Sequence, residues 1–96
     1  MTAFNIVHFR IKPGMDREFL AAHGPGKAAW PGLRKGVIVK TSDNAYCLIG
    51  EWPDGKALAS ARPRMIATLD TFRSVLEPTA SGATDAVSGP VVLTLT

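Results

Sequence analysis

The residues best suited to chemistry are two histidines, an asparagine and a tryptophan, each set among apolar neighbours: His8, His23, Asn5 and Trp52. An imidazole exchanges protons near neutral pH, which makes a histidine a candidate general base. The Asn5 amide is suited to holding a carbonyl, a phenolate or dioxygen, and the Trp52 indole offers an aromatic wall with one N–H donor. These residue types suit a small-molecule site in which a proton is transferred.

Each of these candidates also has a purely structural interpretation. Asn5 would satisfy backbone groups at the start of a strand, and Trp52 would be a large core residue beside Pro53. His23 follows Phe19 by one helical turn and would cap the helix C-terminus, where a positive charge is favoured. The sequence leaves both interpretations open.

A second group of residues is predicted to contact the substrate. Phe9 and Trp30 supply aromatic surface, and Arg62 or Arg64 would pair with an anionic group. Tyr46 is expected either at the rim of the pocket or in the core.

Several common kinds of site are not expected. His8 and His23 fall on separate elements and no C-x-x-C or H-x-x-x-H spacing occurs, which argues against a metal site. Cys47 lies within an apolar strand, an unfavourable setting for a thiolate nucleophile. No glycine-rich phosphate loop follows a strand, so no nucleotide, flavin or nicotinamide cofactor is expected.

Composition places the chain among globular domains. Its 96 residues suit one domain over 1–96, with 46% hydrophobic and 20% charged residues. The net charge of +3 comes from scattered cations, which favours an anionic small molecule rather than nucleic acid. No apolar run approaches the ~20 residues of a membrane span. The N-terminus does not resemble a signal peptide, and the single cysteine is typical of the cytoplasm.

Hydrophobic periodicity predicts the element order β-α-β-β-α-β. Apolar residues at 65, 69, 72 and 76 form the stripe of a second helix that Pro63 begins and Pro78 ends. The order predicts an α+β, ferredoxin-like fold, an antiparallel sheet with both helices on one face. The other predicted segments are strands over 4–11, 36–41, 45–52 and 91–96, helical residues over 15–23, 27–30 and 56–61, and a polar loop over 79–90.

Alternation in the first strand separates its polar residues between the two faces of the sheet. Asn5 and Phe9 share the face that the helices cover, whereas Ile6, His8 and Arg10 share the other. Because the uncovered face is substantially apolar, a second copy is expected to cover it. This predicts a homodimer with His8 at its interface, either as a hydrogen-bonded residue or as a pH-sensitive contact.

Four segments carry a resemblance to a known family: IKPG after the first strand, PGLRKGVIVKT before and within the second, LIGEW at the end of the hairpin, and PDGKAL at the next helix. Through them the chain resembles the antibiotic biosynthesis monooxygenase (ABM) group of the dimeric α+β barrel superfamily. The resemblance covers nearly the whole chain. It implies a homodimer whose sheets pack face to face, with a pocket in each subunit between sheet and helices.

The resemblance also implies a function. Active members include cofactor-independent oxygenases of polyphenols or quinols, and in several of them an Asn of strand one and a Trp ending strand three line the pocket. Asn5 and Trp52 take comparable places here, although Val7 stands where the register of the turn would put the Asn. Haem-degrading relatives carry a His on the second helix, and this sequence has none there. The expectation is an oxygenase with His23, Asn5 and Trp52 as catalytic residues. The alternatives are a non-catalytic dimeric binder or a lyase, isomerase or cyclase.

Overall fold

Four strands and two helices make up the fold of the computed structural model, which describes residues 1–24, 26–27, 29–78 and 84–96. The strands form one antiparallel sheet in the order β2-β3-β1-β4. This arrangement confirms the predicted α+β, ferredoxin-like fold. The elements are β1 (Ala3–Arg10), α1 (Asp16–Ala21), β2 (Lys35–Ser42), β3 (Ala45–Trp52), α2 (Gly55–Asp70) and β4 (Asp85–Pro90).

The two faces of β1 have the predicted alternation. Asn5, Phe9 and Ile11 are buried toward the helices, and His8 and Arg10 are exposed on the opposite side. The core lies between the sheet and the helices, because the helices among the described residues cover only this face of the sheet. The first strand therefore separates a covered, cavity-forming side from an uncovered side.

Helix α1 is shorter than the predicted span of 15–23. After Ala21 the chain tightens, with His23 N–H donating to the Leu20 carbonyl at 3.1 Å. Gly26 has a φ of +79°, which a right-handed helix does not allow, so no further helical turn forms at Gly26 or Lys27. Residues 25 and 28, part of the predicted break and turn, lie outside the described residues.

Helix α2 corrects the prediction of two separate helical segments. Asp54 caps its start by accepting a hydrogen bond from Ala57 N–H at 2.7 Å, and the helix continues through Pro63. A proline inside a helix removes the bond to the carbonyl four residues earlier. That carbonyl belongs to Ala59, an exposed residue, so water is available to it.

The second helix ends at Asp70, earlier than Pro78. Thr71 N–H and Phe72 N–H bond the carbonyls three residues back, which tightens the last turn. Beyond a short 3₁₀ helix, Leu76 forms a bridge with Ile11, so the apolar stripe finishes on the sheet rather than on the helix.

The last strand is β4, Asp85–Pro90, so the prediction of a loop over 79–90 and a strand over 91–96 was wrong. Pro90 pairs with Ala3, and Val91 N–H makes one more bond, to the Thr2 carbonyl at 2.8 Å. The first strand offers no partner beyond this point, which leaves Val92 and Leu95 exposed. Residues 79–83 lie outside the described residues. Neither described helix is long and apolar enough to cross a membrane.

Candidate functional site

A cavity of about 240 Å³ lies between the covered face of the sheet and α2. Its deep end includes Asn5 and Phe9, each 6% exposed, whereas Arg62 and Ser88 are exposed. The cavity therefore opens between α2 and β4. Its volume is slightly below the ~300–1,000 Å³ typical of ligand pockets, which favours a compact ligand.

The floor of the cavity contains a buried hydrogen bond between two predicted catalytic residues. Trp52 Nε1–H donates to Asn5 Oδ1 at 2.8 Å. Asn5 Nδ2 lies 4.0 Å from the Met65 sulfur, a weak acceptor. Trp52 fixes the amide so that its oxygen is occupied and its N–H₂ group retains donor capacity for a ligand oxygen.

Trp52 itself is placed differently from the prediction of a pocket wall. Its side chain is fully buried, and it does not contribute to the lining of the cavity. The structure thus gives Trp52 the position of a residue that orients Asn5, and Asn5 is the member of the pair that reaches the cavity.

Gly50 makes the approach of these two side chains possible. It pairs with Asn5 across the β1–β3 ladder. A Cβ atom at position 50 would lie 2.4 Å from Asn5 Oδ1 and 3.1 Å from Trp52 Nε1. Sequence reasoning missed this role, although an isolated glycine inside a strand is a signal of close approach by another group.

His23 lines the cavity and packs against an aromatic cluster. Its ring centroid is 4.7 Å from that of Phe72 and 5.0 Å from that of Phe19. Nδ1 lies 3.0 Å from the Phe19 carbonyl oxygen, which only accepts, so Nδ1 carries the hydrogen. Burial lowers the pKa of His23 below 6.5, against the opposing effect of the Phe19 carbonyl. At neutral pH the ring is uncharged and its Nε2 is basic.

This geometry is compatible with both interpretations of His23, as a helix-capping residue and as a general base. The Nδ1 bond satisfies a carbonyl of the last helical turn, as a capping residue would. Nε2 has no hydrogen bond to any of the residues that the structure describes. A structural role for one nitrogen is compatible with proton transfer at the other.

The two predicted aromatic contacts both line the cavity. Phe9 packs edge-on to Phe72 with ring centroids 5.8 Å apart. Trp30 is 8% exposed, and its Nε1–H donates to Thr68 Oγ1 at 3.1 Å. Thr68, which holds the indole in place, was missed because no feature of the sequence links it to Trp30.

The two arginines are separated by the structure. Arg62 lines the cavity and donates from Nη2 to Ser88 Oγ at 3.4 Å, whereas Arg64 is exposed and is not part of the lining. Among the cavity-lining residues of α2, Leu58, Arg62, Met65 and Leu69 follow a spacing of three or four residues, which Arg64 does not share.

Tyr46 lies outside this cavity. Its hydroxyl donates to Asp16 Oδ2 at 2.5 Å, and this hydrogen bond raises the pKa of the tyrosine. Lys40 Nζ lies 5.9 Å from the ring centroid and 4.0 Å from the same carboxylate oxygen. Tyr46 itself is 5% exposed, and its ring centroid lies 5.0 Å from that of Phe19. Of the two predicted positions, rim or core, the structure therefore shows the core position, with the hydroxyl directed to Asp16, and it does not bring Tyr46 to the cavity.

The predicted interface residues lie on the uncovered side of the sheet. His8 and Arg10 are exposed, and Ile6 is half-buried. His8 is the cross-strand neighbour of both Cys47 and Asp85. None of the three predicted interface residues lines the cavity.

Several solved structures match this fold over nearly the whole chain. SnoaB, a cofactor-independent oxygenase from Streptomyces nogalater, has a TM-score of 0.74 and 18% identity over 98% of this chain and 96% of that chain. Rv0793 from Mycobacterium tuberculosis has a TM-score of 0.77 and 14% identity over 100% of both chains. A protein from Chloroflexus aurantiacus described as an antibiotic biosynthesis monooxygenase has a TM-score of 0.74 and 15% identity, over 100% and 98%.

Sequence comparison alone gives no such relatives. No protein-family profile matches the chain, and no curated protein matches it. The structural likeness, at 14–18% identity, establishes the fold. The chain therefore has the ferredoxin-like α+β fold found in structures of antibiotic biosynthesis monooxygenases.

Proposed function

We propose that this protein belongs to the ABM group and is a cofactor-independent oxygenase of a small electron-rich aromatic compound. The observation that carries the proposal is a neutral imidazole and a buried amide donor lining one apolar cavity. The description of SnoaB as a cofactor-independent oxygenase supports it by analogy of fold.

The proposed reaction begins with proton transfer to His23. Nε2 accepts a proton from a phenolic or acidic C–H group, and the resulting anion passes an electron to dioxygen. Recombination forms a peroxide, which loses water to leave a carbonyl. For an anthrone, a CH₂ group and O₂ become C=O and H₂O, so no external reductant is needed.

Asn5 acts on the charge that develops in the substrate. Among the described residues, the only hydrogen-bond acceptor of its Nδ2–H₂ group is the Met65 thioether, which is weak. The group is therefore suited to donate to a phenolate or peroxide oxygen. Trp52 is a positioning residue, since its N–H binds Asn5 Oδ1 and so leaves Nδ2 as the group that meets the substrate. The apolar walls exclude water that would quench the anion.

A second candidate function is a non-catalytic binder of the same kind of ligand. No carboxylate among the described lining residues supports His23, so the cavity lacks a conventional acid–base pair. A lyase, isomerase or cyclase would use the same base without dioxygen. Oxygen consumption separates these functions from an oxygenase.

The test is oxygen uptake by the purified protein with anthrone under air. We expect uptake above the buffer rate for the wild type and a loss of about 10²-fold or more in His23→Gln. Asn5→Ala is expected to be slower than the wild type. His8→Gln, which changes the same residue type on the opposite face, is the matched control and keeps full activity. Uptake no faster than in buffer would reject the oxygenase and leave the binder and the lyase, isomerase or cyclase.

We also propose a homodimer formed through the uncovered face of the sheet, with Ile6, His8 and Arg10 at the interface. The support is the exposure of apolar side chains on that face, including Val37 at 41% and Val87 at 62%. Exposed apolar surface of this kind is typical of a protein interface.

A further inference from the structure

The opening of the cavity carries a positive charge with no carboxylate beside it. Arg62 takes part in none of the ion pairs among the described residues, which involve Arg34, Lys40 and Arg73. The described lining contains no Asp or Glu, and residues 25, 28 and 79–83 are uncharged in the sequence. The charge of Arg62 is left for solvent or a ligand.

The surroundings of Arg62 divide the cavity into two chemically different ends. At the exposed end, Arg62 reaches from α2 toward Ser88 of β4 and makes a long hydrogen bond to its hydroxyl. At the buried end, the polar groups are the amide of Asn5 and the uncharged ring of His23. Apolar side chains, including Leu58 and Met65, lie between the two ends.

We propose that the ligand is an aromatic compound with one anionic substituent, a carboxylate or a group of similar charge, bound at Arg62. The inference rests on the proposed function in that it uses the same cavity, but it does not depend on the reaction with dioxygen. A guanidinium binds a carboxylate through two parallel hydrogen bonds, and the Ser88 hydroxyl supplies a further donor beside it. The ring then lies against the apolar wall, and its far edge points to Asn5 and His23.

This orientation decides which atoms of the ligand react. With the anionic group held at the opening, the opposite edge of the ring system is the part that enters the deep end. Arg62 is thus a specificity-determining residue that touches the substrate remote from the reacting atoms. Arg64 lies two residues away and outside the lining, so it is not part of this contact.

The test compares two probes of nearly equal shape, 2-naphthoate and 2-naphthamide, by isothermal titration calorimetry at low ionic strength. We expect the wild type to bind 2-naphthoate about tenfold more tightly, since a partly exposed charge-assisted contact contributes that order of affinity. Arg62→Gln should remove the preference, because it weakens the binding of 2-naphthoate more than that of 2-naphthamide. Arg64→Gln is the matched control and should keep the preference.

Three results would overturn the proposal: no preference in the wild type, no 2-naphthoate binding up to millimolar concentration, or equal loss of preference in both arginine variants. A second measurement, thermal unfolding of Arg62→Gln, ensures that lost binding is not lost folding. Rising salt should weaken 2-naphthoate more than 2-naphthamide.

The outcome is separable from that of the oxygenase proposal. Arg62-dependent binding of 2-naphthoate, with no oxygen uptake from either anthrone or an anthrone carboxylic acid, supports the anionic ligand and rejects the oxygenase. Oxygen uptake with a neutral anthrone, together with equal binding of both probes, supports the oxygenase and rejects the role of Arg62.

Discussion

The bond from Trp52 to Asn5 settles the orientation of an amide whose two ends have opposite chemistry. With Oδ1 occupied, Nδ2 faces the cavity as a donor, the polarity needed to stabilise a negative oxygen. Without the indole N–H, the Asn5 amide would be equally able to turn its oxygen, Oδ1, toward the cavity. A residue outside the cavity lining therefore controls the electrostatics inside it.

Trp52→Phe tests this control. The variant keeps an aromatic ring but leaves Asn5 Oδ1 buried without its donor, which should lower the free energy of unfolding by about 1–3 kcal/mol. Oxygen uptake should fall as well. Both effects are measured by denaturant unfolding and an oxygen electrode.

Trp30→Phe is the matched control for Trp52→Phe, since it also removes one indole N–H bond. The acceptor there is Thr68 Oγ1, a hydroxyl that itself donates to the Arg64 carbonyl and can reach solvent. A smaller loss of stability is expected. An equal loss in both variants would contradict a special role for the Asn5–Trp52 bond.

The lowered pKa of His23 predicts the pH dependence of both activity and stability. Because burial favours the neutral ring, the folded pKa lies below the unfolded value of 6.5. The unfolded state then binds more protons between the two values, so stability is complete above about pH 6.5 and falls as the pH drops through the folded pKa. The kcat/KM profile should lose activity over the same acidic range.

The measurements are a kcat/KM profile and thermal unfolding between about pH 5 and 8. His23→Gln should abolish the acidic decrease in stability, and His8→Gln should retain it. Phe9, Phe19 and Phe72 surround the ring, and Arg62 is the other titratable residue of the described lining. An acidic decrease that survives in His23→Gln would show that another group titrates.

At the scale of the element, β3 has a position, Gly50, at which the structure leaves no room for a side chain. The strand pairs on both sides, with Gly50 opposite Asn5 of β1 and Gly36 of β2. The side chains of Asn5 and Trp52 cross above it, where a Cβ would meet them.

Gly50→Ala should displace Asn5 and break its bond to Trp52, lowering stability by about 1–3 kcal/mol and weakening ligand binding. Gly36→Ala is the control, because its Cβ would meet the Leu33 Cδ2 at 3.2 Å, the end of a flexible side chain. Denaturant unfolding of the two variants should therefore differ. Equal stabilities would mean that the Asn5–Trp52 pair has another way to pack.

The sequence was sufficient for the elements whose apolar pattern is long and regular. Alternation placed Asn5 and His8 on opposite faces of β1, and the turn before Ala45 placed the β2–β3 hairpin. The C-terminal strand was mislocated because residues 91–96 have the stronger β pattern, whereas β4 is selected by its register with β1.

The candidate site was less accessible to sequence reasoning. The cavity position of Arg62, and not Arg64, depends on the phase of α2 through Pro63, where the sequence predicted a new helix. Asn5 and Trp52 have different roles, one at the cavity and one behind it, and these roles depend on a hydrogen bond between residues 47 positions apart in the sequence. Tertiary contacts of this kind leave no local pattern.

At the scale of the whole molecule, one row of apolar residues crosses all four strands on the uncovered face. The row follows the register of the sheet, because each residue is paired with the next across a ladder. Its members are Val37, Ile49, Ile6 and Val87. No described element packs over them, whereas the opposite face holds the core.

A second copy of the chain would cover this row, and Ile6→Lys tests that proposal. Ile6 lies near the centre of the row and points away from the helices, so a lysine there can remain hydrated in a monomer but not in a dry interface. Light scattering after size exclusion should give a dimer for the wild type at micromolar concentration and a monomer for the variant. Ala67→Lys, on an exposed position of α2, is the control and should remain dimeric. A monomeric wild type would refute the dimer and the interface roles of Ile6, His8 and Arg10, while the cavity, which is lined by a single chain, would stand.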